Sequence, residues 1–206
     1  MRNKIKQYQS QYLICGCDEA GRGALAGPVV AAAVILPKNF KNFGINDSKT
    51  ISPKKRLELS RLIKQNSVAW SIGIINNTEI DKINILNASI KAMHHAITTI
   101  IQKIKIEKIN KLLIDGNKFK KYKNLNHECV IKGDQKYLSI AAASIIAKTS
   151  RDEFMCKLDY KYPSYLWKNN KGYPTKAHKE AIIYNGPNEY HRKSFKLFNK
   201  QYCLEL

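Results

Sequence analysis

An alternation of short apolar runs with longer helical segments constrains the fold of this chain more than any other feature of its sequence. The apolar runs at 12–17 and 28–36 flank a glycine-rich turn and predict two strands joined as in a hairpin. Further strands are predicted at 67–75, 111–115 and 128–132. Helices are predicted from a Ser52 cap through about residue 65, over 84–105, from 139 to about 160, and from a Thr175 cap to about residue 184. This order indicates an α/β protein with a mixed sheet flanked by helices.

Length and hydrophobic content are those of one ordinary domain. The chain has 206 residues, 44% of them hydrophobic, and can bury a substantial core. Its longest uninterrupted apolar stretch, 29–36, is far shorter than the roughly 18 residues that cross a bilayer. The basic N-terminus has no apolar segment of signal-peptide length. We therefore expect a cytoplasmic protein that spans no membrane. We also expect a monomer, because no segment marks a hydrophobic oligomer interface.

The formal net charge of +20, from 36 basic and 16 acidic residues, is typical of proteins that bind polyanions. The surplus consists almost entirely of lysine, with 30 Lys against 6 Arg. Lysine is encoded by AT-rich codons, so a drift of the genome towards AT explains the surplus of lysine as well as selection for binding does. The charge is thus compatible with a nucleic-acid partner and indicates nothing more specific.

Five cysteines, an odd number without a repeated CxxC spacing, argue against a zinc site. Reduced thiols inside a cytosolic protein are the simpler interpretation.

Acidic residues are scarce, yet several follow predicted strands directly. Asp18 and Glu19 follow the first run, Asp115 ends the fourth, and Asp134 comes just after the fifth. Carboxylates at neighbouring strand ends form an oxygen-rich site of the kind that Mg²⁺ and Mn²⁺ prefer. Four of them can hold two ions about 3.5–4 Å apart, the arrangement that hydrolyses phosphodiesters. For any single one of these residues, capping of a turn is an equally good explanation.

The turn after the first acidic pair carries the most specific signal. Residues 18–30, DEAGRGALAGPVV, closely resemble the signature of the ribonuclease HII family. The resemblance continues in family order at 47–49 (DSK), 113–117 (LIDGN), 132–134 (KGD), 139–148 (SIAAASIIAK), 151–152 (RD), 171–173 (KGY) and 191–195 (HRKSF). It covers roughly residues 12–195, nearly the whole chain.

The resemblance implies an RNase H-like fold with a small helical C-terminal segment. Residues 1–185 would form the catalytic domain, with a short tail over 186–206 packed on it or extending it. The implied activity is endonucleolytic cleavage of the RNA strand of RNA–DNA hybrids. It includes incision 5′ of ribonucleotides embedded in duplex DNA, leaving 3′-hydroxyl and 5′-phosphate ends.

The family's catalytic acids correspond to Asp18, Glu19, Asp115 and Asp134, which would also be the metal ligands. Asp18 would be shared between two divalent ions, Mn²⁺ or Mg²⁺. One ion would activate a water molecule and the other would stabilise the leaving 3′-oxygen.

The same resemblance implies residues that bind the substrate. The backbone of Gly21, Arg22 and Gly23 would read the ribose 2′-hydroxyl, since glycines let a sugar approach closely. Tyr173 would pack against the next sugar and favour a deoxyribose there. Lys49 and Ser139 would contact phosphates, Ser139 at a helix start whose free N–H groups attract anions.

Four residues depart from the family pattern: Ala24, Gln135, Tyr137 and Pro174. Pro174 restricts the backbone of the residue before it, so it bears on Tyr173. None of them replaces a carboxylate, and we expect activity.

Two other functions are consistent with parts of the sequence. A basic nucleic-acid-binding protein without catalysis would explain the charge, but it would gain nothing from carboxylates that face phosphates. A two-metal DNA nuclease of the same fold would explain the acids, but not the turn at 21–23.

Overall fold

The computed structural model describes residues 5–8, 13–45, 48 and 50–196, and a five-stranded sheet lies at its centre. The strands are β1 (Leu13–Ala20), β2 (Val29–Ile35), β3 (Ala69–Ile75), β4 (Ile109–Asp115) and β5 (Asn126–Val130), in the spatial order β3-β2-β1-β4-β5. The β1/β2 and β2/β3 pairs are antiparallel, whereas β1/β4 and β4/β5 are parallel. The carboxyl-terminal ends of β1, β4 and β5 consequently meet at one edge, which we call the carboxyl edge.

Helices cover both faces of this sheet. They are α1 (Pro53–Asn66), α2 (Asn77–Ile83), α3 (Ile85–Lys103), α4 (Leu138–Lys161), α5 (Trp167–Asn170) and α6 (Lys176–Asn185). Short 3₁₀ turns occur at Ile106–Lys108, Gly133–Gln135 and Pro163–Tyr165. Side chains cap four helices, α1 through Ser52, α2 through Asn76, α3 through Asn84 and α6 through Thr175. No helix in the described ranges is both long and apolar enough to span a membrane.

Small residues let the two long helices approach the sheet closely. Helix α3 packs on β2 and β3, where a Cβ on Gly73 would lie only 2.9 Å from the Ala96 nitrogen. Helix α4 packs on β1 and β2 from the opposite face, with its alanines against Ala32 and Val34. Helix α4 therefore runs alongside the strand that carries the first acidic pair.

The predicted fold class is confirmed: a mixed sheet lies between helical layers. The predicted strands and long helices are all present, with bounds shifted by up to about three residues. Two short helices, α2 and α5, were not predicted. Their seven and four residues are too few to show a clear apolar period.

One boundary shift matters for function. The first strand was expected to end at residue 17, but β1 continues to Ala20 and contains the acidic pair. Pairing with β2 extends the strand, since Asp18 lies opposite Ala32 and Glu19 opposite Ala31. The two acids belong to the sheet itself and are thus held more rigidly than residues of a turn.

Candidate active site

Three of the four predicted acids, Asp18, Glu19 and Asp115, lie at the carboxyl edge. In the parallel β1/β4 pair Cys17 lies opposite Ile114, so the next residues, Asp18 and Asp115, are neighbours. Asp134 lies in the 3₁₀ turn that follows β5. The Gly133 backbone N–H donates to Asp115 Oδ1 at 2.7 Å and ties that turn to the end of β4.

Electrostatics at this edge reflect crowded, desolvated acids. Asp18 is only 6% exposed, and burial raises the pKa of its carboxyl well above the usual value. The nearby Glu19 and Asp115 raise the pKa of Asp18 further, while hydrogen bonds from Ser144 and from the Glu19 N–H (2.7 Å) oppose them. Burial also raises the pKa of Glu19, against the opposing charge of Arg22 at 3.2 Å.

A divalent cation fits this chemistry. The donors are hard carboxylate oxygens, and the mutual repulsion of Asp18, Glu19 and Asp115 is what a bound cation would relieve. The carboxylates do not yet surround a common point: in the part of the chain that the structure describes, no three His, Cys, Asp or Glu side chains are arranged to hold an ion. One oxygen of Asp115 and one of Asp18 accept backbone hydrogen bonds instead.

The turn after β1 presents its two glycines differently. Gly21 has φ +98°, and a Cβ there would meet the Arg151 side chain, 2.5 Å from its Cδ. Glycine is required at 21 by the backbone conformation and by the neighbouring Arg151 side chain. Gly23 is exposed and has no neighbouring atom within 4 Å of its Cβ direction. Of the two glycines, Gly23 is therefore the one whose backbone a ligand can approach freely, and it lies beside the exposed side chain of Arg22.

Tyr173 lies against the same turn. The Gly172 carbonyl before it accepts hydrogen bonds from the backbone N–H groups of Leu25 (2.7 Å) and Ala26 (3.3 Å). The half-buried Tyr173 ring has the Arg151 guanidinium 5.0 Å from its centroid and the Lys148 ammonium 5.2 Å away. The predicted ribose-reading turn and the predicted junction residue are thus in one place.

The two predicted phosphate contacts have different outcomes. Lys49 lies outside the described residues; its neighbour Ser48 is buried, with its Oγ 3.0 Å from Ser144 Oγ. Ser139 packs its backbone against Gly16 and lines a small cavity with Leu13 and other residues near the start of β1. The serine of α4 that bonds Asp18 is Ser144, five positions further along the helix.

Several residues that organise the site were assigned no definite role by the sequence analysis. Arg151 and Arg192 are both fully buried, and both donate to main-chain carbonyls of the turn between β1 and β2. Both belong to the motifs 151–152 and 191–195. A motif does not show, however, whether an arginine faces solvent or the interior.

His178, to which the sequence assigned no definite role, holds the backbone of Tyr173. Trp167 Nε1 donates to His178 Nε2 at 3.0 Å, so His178 Nδ1 carries the proton and donates to the Tyr173 carbonyl, also at 3.0 Å. Burial lowers the pKa of His178 and keeps it in this neutral form.

The mixed sheet and its acidic carboxyl edge define a nuclease of the RNase H-like class. A family model described as ribonuclease HII matches residues 15–198, and the chain belongs to the ribonuclease HII family. Ribonuclease HII of Parabacteroides distasonis is 57% identical over 92% of both chains. That of Bacteroides fragilis strain ATCC 25285 is 58% identical over 88% of both.

The fold agrees with a solved relative. The crystal structure of ribonuclease H2 from Pyrococcus horikoshii OT3 superposes with a TM-score of 0.75 at 25% identity, covering 90% of this chain and 94% of that one. The chain is therefore an endoribonuclease that acts on RNA–DNA hybrids, as the motif resemblance implied. Family membership decides against both the non-catalytic binding protein and the DNA nuclease.

Proposed function

We propose that this ribonuclease works by two-metal-ion hydrolysis at Asp18, Glu19, Asp115 and Asp134. Besides hybrids, it would incise 5′ of single ribonucleotides embedded in duplex DNA and leave 3′-hydroxyl and 5′-phosphate ends. The observation that carries the proposal is the gathering of desolvated acids at one sheet edge, where Asp115 raises the pKa of Asp18 across a strand pair.

The chain's own residues supply and orient the ligands. Two bound Mg²⁺ or Mn²⁺ ions would supply an activated water and stabilise the leaving oxygen. Asp18 sits at the centre of the acidic group and is oriented by Ser144. Arg22 holds the Glu19 carboxylate, and the Gly133 N–H holds Asp115. These contacts orient the individual carboxylates.

Substrate recognition would use the surface beside the acids. The exposed backbone at Gly23 is open to a ribose, whose 2′-hydroxyl distinguishes RNA from DNA. Arg22 offers a half-exposed cation to the adjoining phosphate, and Tyr173, half-buried beside the same turn, would pack against the next sugar. Gly21, Lys49 and Ser139 stay in the proposal, Gly21 as part of the backbone that reads the ribose and the other two as phosphate contacts.

We further propose a cytoplasmic monomer with a catalytic domain over 1–185 and a tail over 186–206. The described part of the tail, through residue 196, supports counting it as an extension of the domain. Arg192 donates to the Gly27 carbonyl at 3.0 Å, and Phe195 packs on the core. Residues 197–206 lie outside the described residues.

A cleavage assay tests the reaction. Three duplexes are compared, with one embedded ribonucleotide, with a continuous RNA strand and with DNA only, in Mg²⁺, Mn²⁺ or EDTA. We expect Mg²⁺ or Mn²⁺, but not EDTA, to support cleavage of the single-ribonucleotide duplex and of the continuous hybrid. The single-ribonucleotide duplex should be cut 5′ of the ribonucleotide. Asp18→Asn should abolish turnover but retain hybrid binding. Asp159→Asn is the matched control, because Asp159 only accepts a hydrogen bond from the Lys168 backbone (2.9 Å), which Asn also accepts.

Metal binding has its own measurement. Mn²⁺ at about 100 times its dissociation constant should stabilise the wild-type protein by about 2.7 kcal/mol, and Asp18→Asn by much less. Turnover by Asp18→Asn, or equal stabilisation of both proteins, would show that the carboxylates are assigned wrongly. Survival of the single-ribonucleotide duplex in metal would refute the incision activity.

A further inference from the structure

Arg151 is a buried charge whose hydrogen bonds, within the described ranges, go to main-chain carbonyls. It lies on α4 with 0% of its surface exposed. Nε donates to the Pro28 carbonyl at 2.9 Å, Nη2 to Ala26 at 3.1 Å and Nη1 to Lys171 at 2.9 Å. Ala26 and Pro28 end the turn after β1, whereas Lys171 belongs to the segment that leads to Tyr173. One planar guanidinium therefore holds two segments that are about 145 residues apart in sequence.

The same side chain touches the parts of both segments that face the substrate. It fills the space beside Gly21, where a Cβ would lie 2.9 Å from Cζ, and it lies 5.0 Å from the centroid of the Tyr173 ring. Leu25 and Ala26 also bond the Gly172 carbonyl, so the two segments are already close. Arg151 adds a rigid spacer between the turn and the tyrosine.

We propose that Arg151 is the positioning residue that sets the spacing between the turn at 21–23 and Tyr173, and thereby determines the preference for a ribonucleotide–deoxyribonucleotide junction. The inference rests on the proposed roles of that turn and of Tyr173. A junction is recognised only when the two contacts fall on adjacent sugars at once, so it depends on their spacing. A continuous hybrid presents a 2′-hydroxyl at every register and depends on the spacing less.

Arginine is suited to this task in a way that lysine is not. Its donors point in fixed directions within one plane, so all three carbonyls can be held together. Lysine carries a compact charge on a flexible stem and cannot reach carbonyls on both sides at fixed distances. Arg151→Lys thus keeps the charge but no longer fixes the distance between the turn and Tyr173.

Lys148 provides a matched control on the same helix. Its ammonium lies at nearly the same distance from the Tyr173 ring, 5.2 Å, but its ion pair is with Asp152 at 2.8 Å. Lys148 therefore contacts the ring without bridging it to the turn. Comparison of the two positions separates a general effect of a cation on Tyr173 from the effect of the bridge.

The experiment measures kcat/KM on a duplex with one embedded ribonucleotide and on a continuous hybrid. Arg151→Lys should lower the ratio of the two values at least tenfold, whereas Lys148→Met should change it less than threefold. The two substitutions are then repeated in a Tyr173→Ala background. If Arg151 acts through the spacing to Tyr173, Arg151→Lys produces no further change of the ratio there. A merely structural defect would lower both activities equally in either background.

A second position keeps the test decisive if Arg151→Lys does not fold. The Met155 side chain lies between Gly27 and Gly172, one turn further along α4. Met155→Val removes the side-chain atoms that contact both glycines without removing a charge. It therefore loosens the same two segments and should lower the same ratio. An unchanged ratio in a folded Arg151→Lys or Met155→Val protein overturns the inference and leaves the proposed function intact. A wild-type enzyme that does not prefer the junction overturns the inference alone, whereas one that leaves the single-ribonucleotide duplex uncut refutes the proposed incision activity.

Discussion

Replacement of Gly16 by alanine tests how tightly α4 packs against β1, the strand that carries Asp18. Gly16 lies in β1, two residues before Asp18, and faces the first turn of α4. A Cβ there would lie 2.5 Å from the Ser139 carbonyl oxygen and 2.6 Å from the Ile140 nitrogen. Both atoms belong to the backbone, so no side chain can rotate away. Ordinary contact distances require α4 to retreat by about 1 Å.

The cost follows from this displacement. Overpacking of a core costs about 1–3 kcal/mol, and a contact between two backbones belongs at the upper end. For a chain of this length, about 3 kcal/mol lowers the melting temperature by roughly 6–12 °C. Because α4 carries Ser144, which orients Asp18, hybrid cleavage should fall by about a hundredfold, as expected for a 1 Å misplacement of a catalytic group.

Urea denaturation and hybrid cleavage, measured on the same preparations, check both numbers. Gly23→Ala is the matched control for stability, because no atom lies within 4 Å of its Cβ direction. Its free energy of unfolding should stay within about 0.5 kcal/mol of wild type. A Gly16→Ala protein that is as stable as wild type and equally active would refute the close contact between β1 and α4.

Two further predictions concern Tyr173 and the buried histidines. Tyr173→Ala should reduce incision at a single ribonucleotide more than cleavage of a continuous hybrid, and equal losses in a kinetic comparison would count against the junction role. Burial and the neighbouring His178 lower the pKa of His191 to about 4. Below its ordinary value of about 6.5, only the unfolded chain binds a proton there, so stability should fall between pH 6.5 and 4 by up to about 3 kcal/mol. His191→Gln should flatten this dependence in urea titrations, and an unchanged pH profile would contradict the assignment.

Much of the fold could be predicted from the sequence because its signals are local. The apolar period of α3, the Ser52 cap with Pro53 after it and the Thr175 cap each lie within a few residues of the element that they specify. The acids were also predicted from a local signal, because each of them directly follows or ends an apolar run. The motifs then identified the family, since their order along the chain needs no three-dimensional information.

The remaining features depend on contacts between distant parts of the chain. Arg151 bonds the Pro28 carbonyl across 123 residues, and Arg192 bonds the Gly27 carbonyl across 165. Whether such a cation is solvated or buried depends on carbonyls that no local pattern identifies. The same holds for Gly21, whose missing side chain makes room for Arg151, and for the strand pairing that draws Asp18 into β1.

The sequence by itself determined the α/β fold class and the ribonuclease HII family of this protein, and it predicted four carboxylates, a glycine-bearing turn and a tyrosine as the site. Only the tertiary structure decided how these parts are held. It showed that one face of α4, through Ser144, Arg151 and Met155, contacts both the acids and the two proposed substrate-binding segments. Residue types and their order can be read from the sequence. The distances between remote segments, and the burial of their side chains, arise only when the sheet brings those segments to one edge.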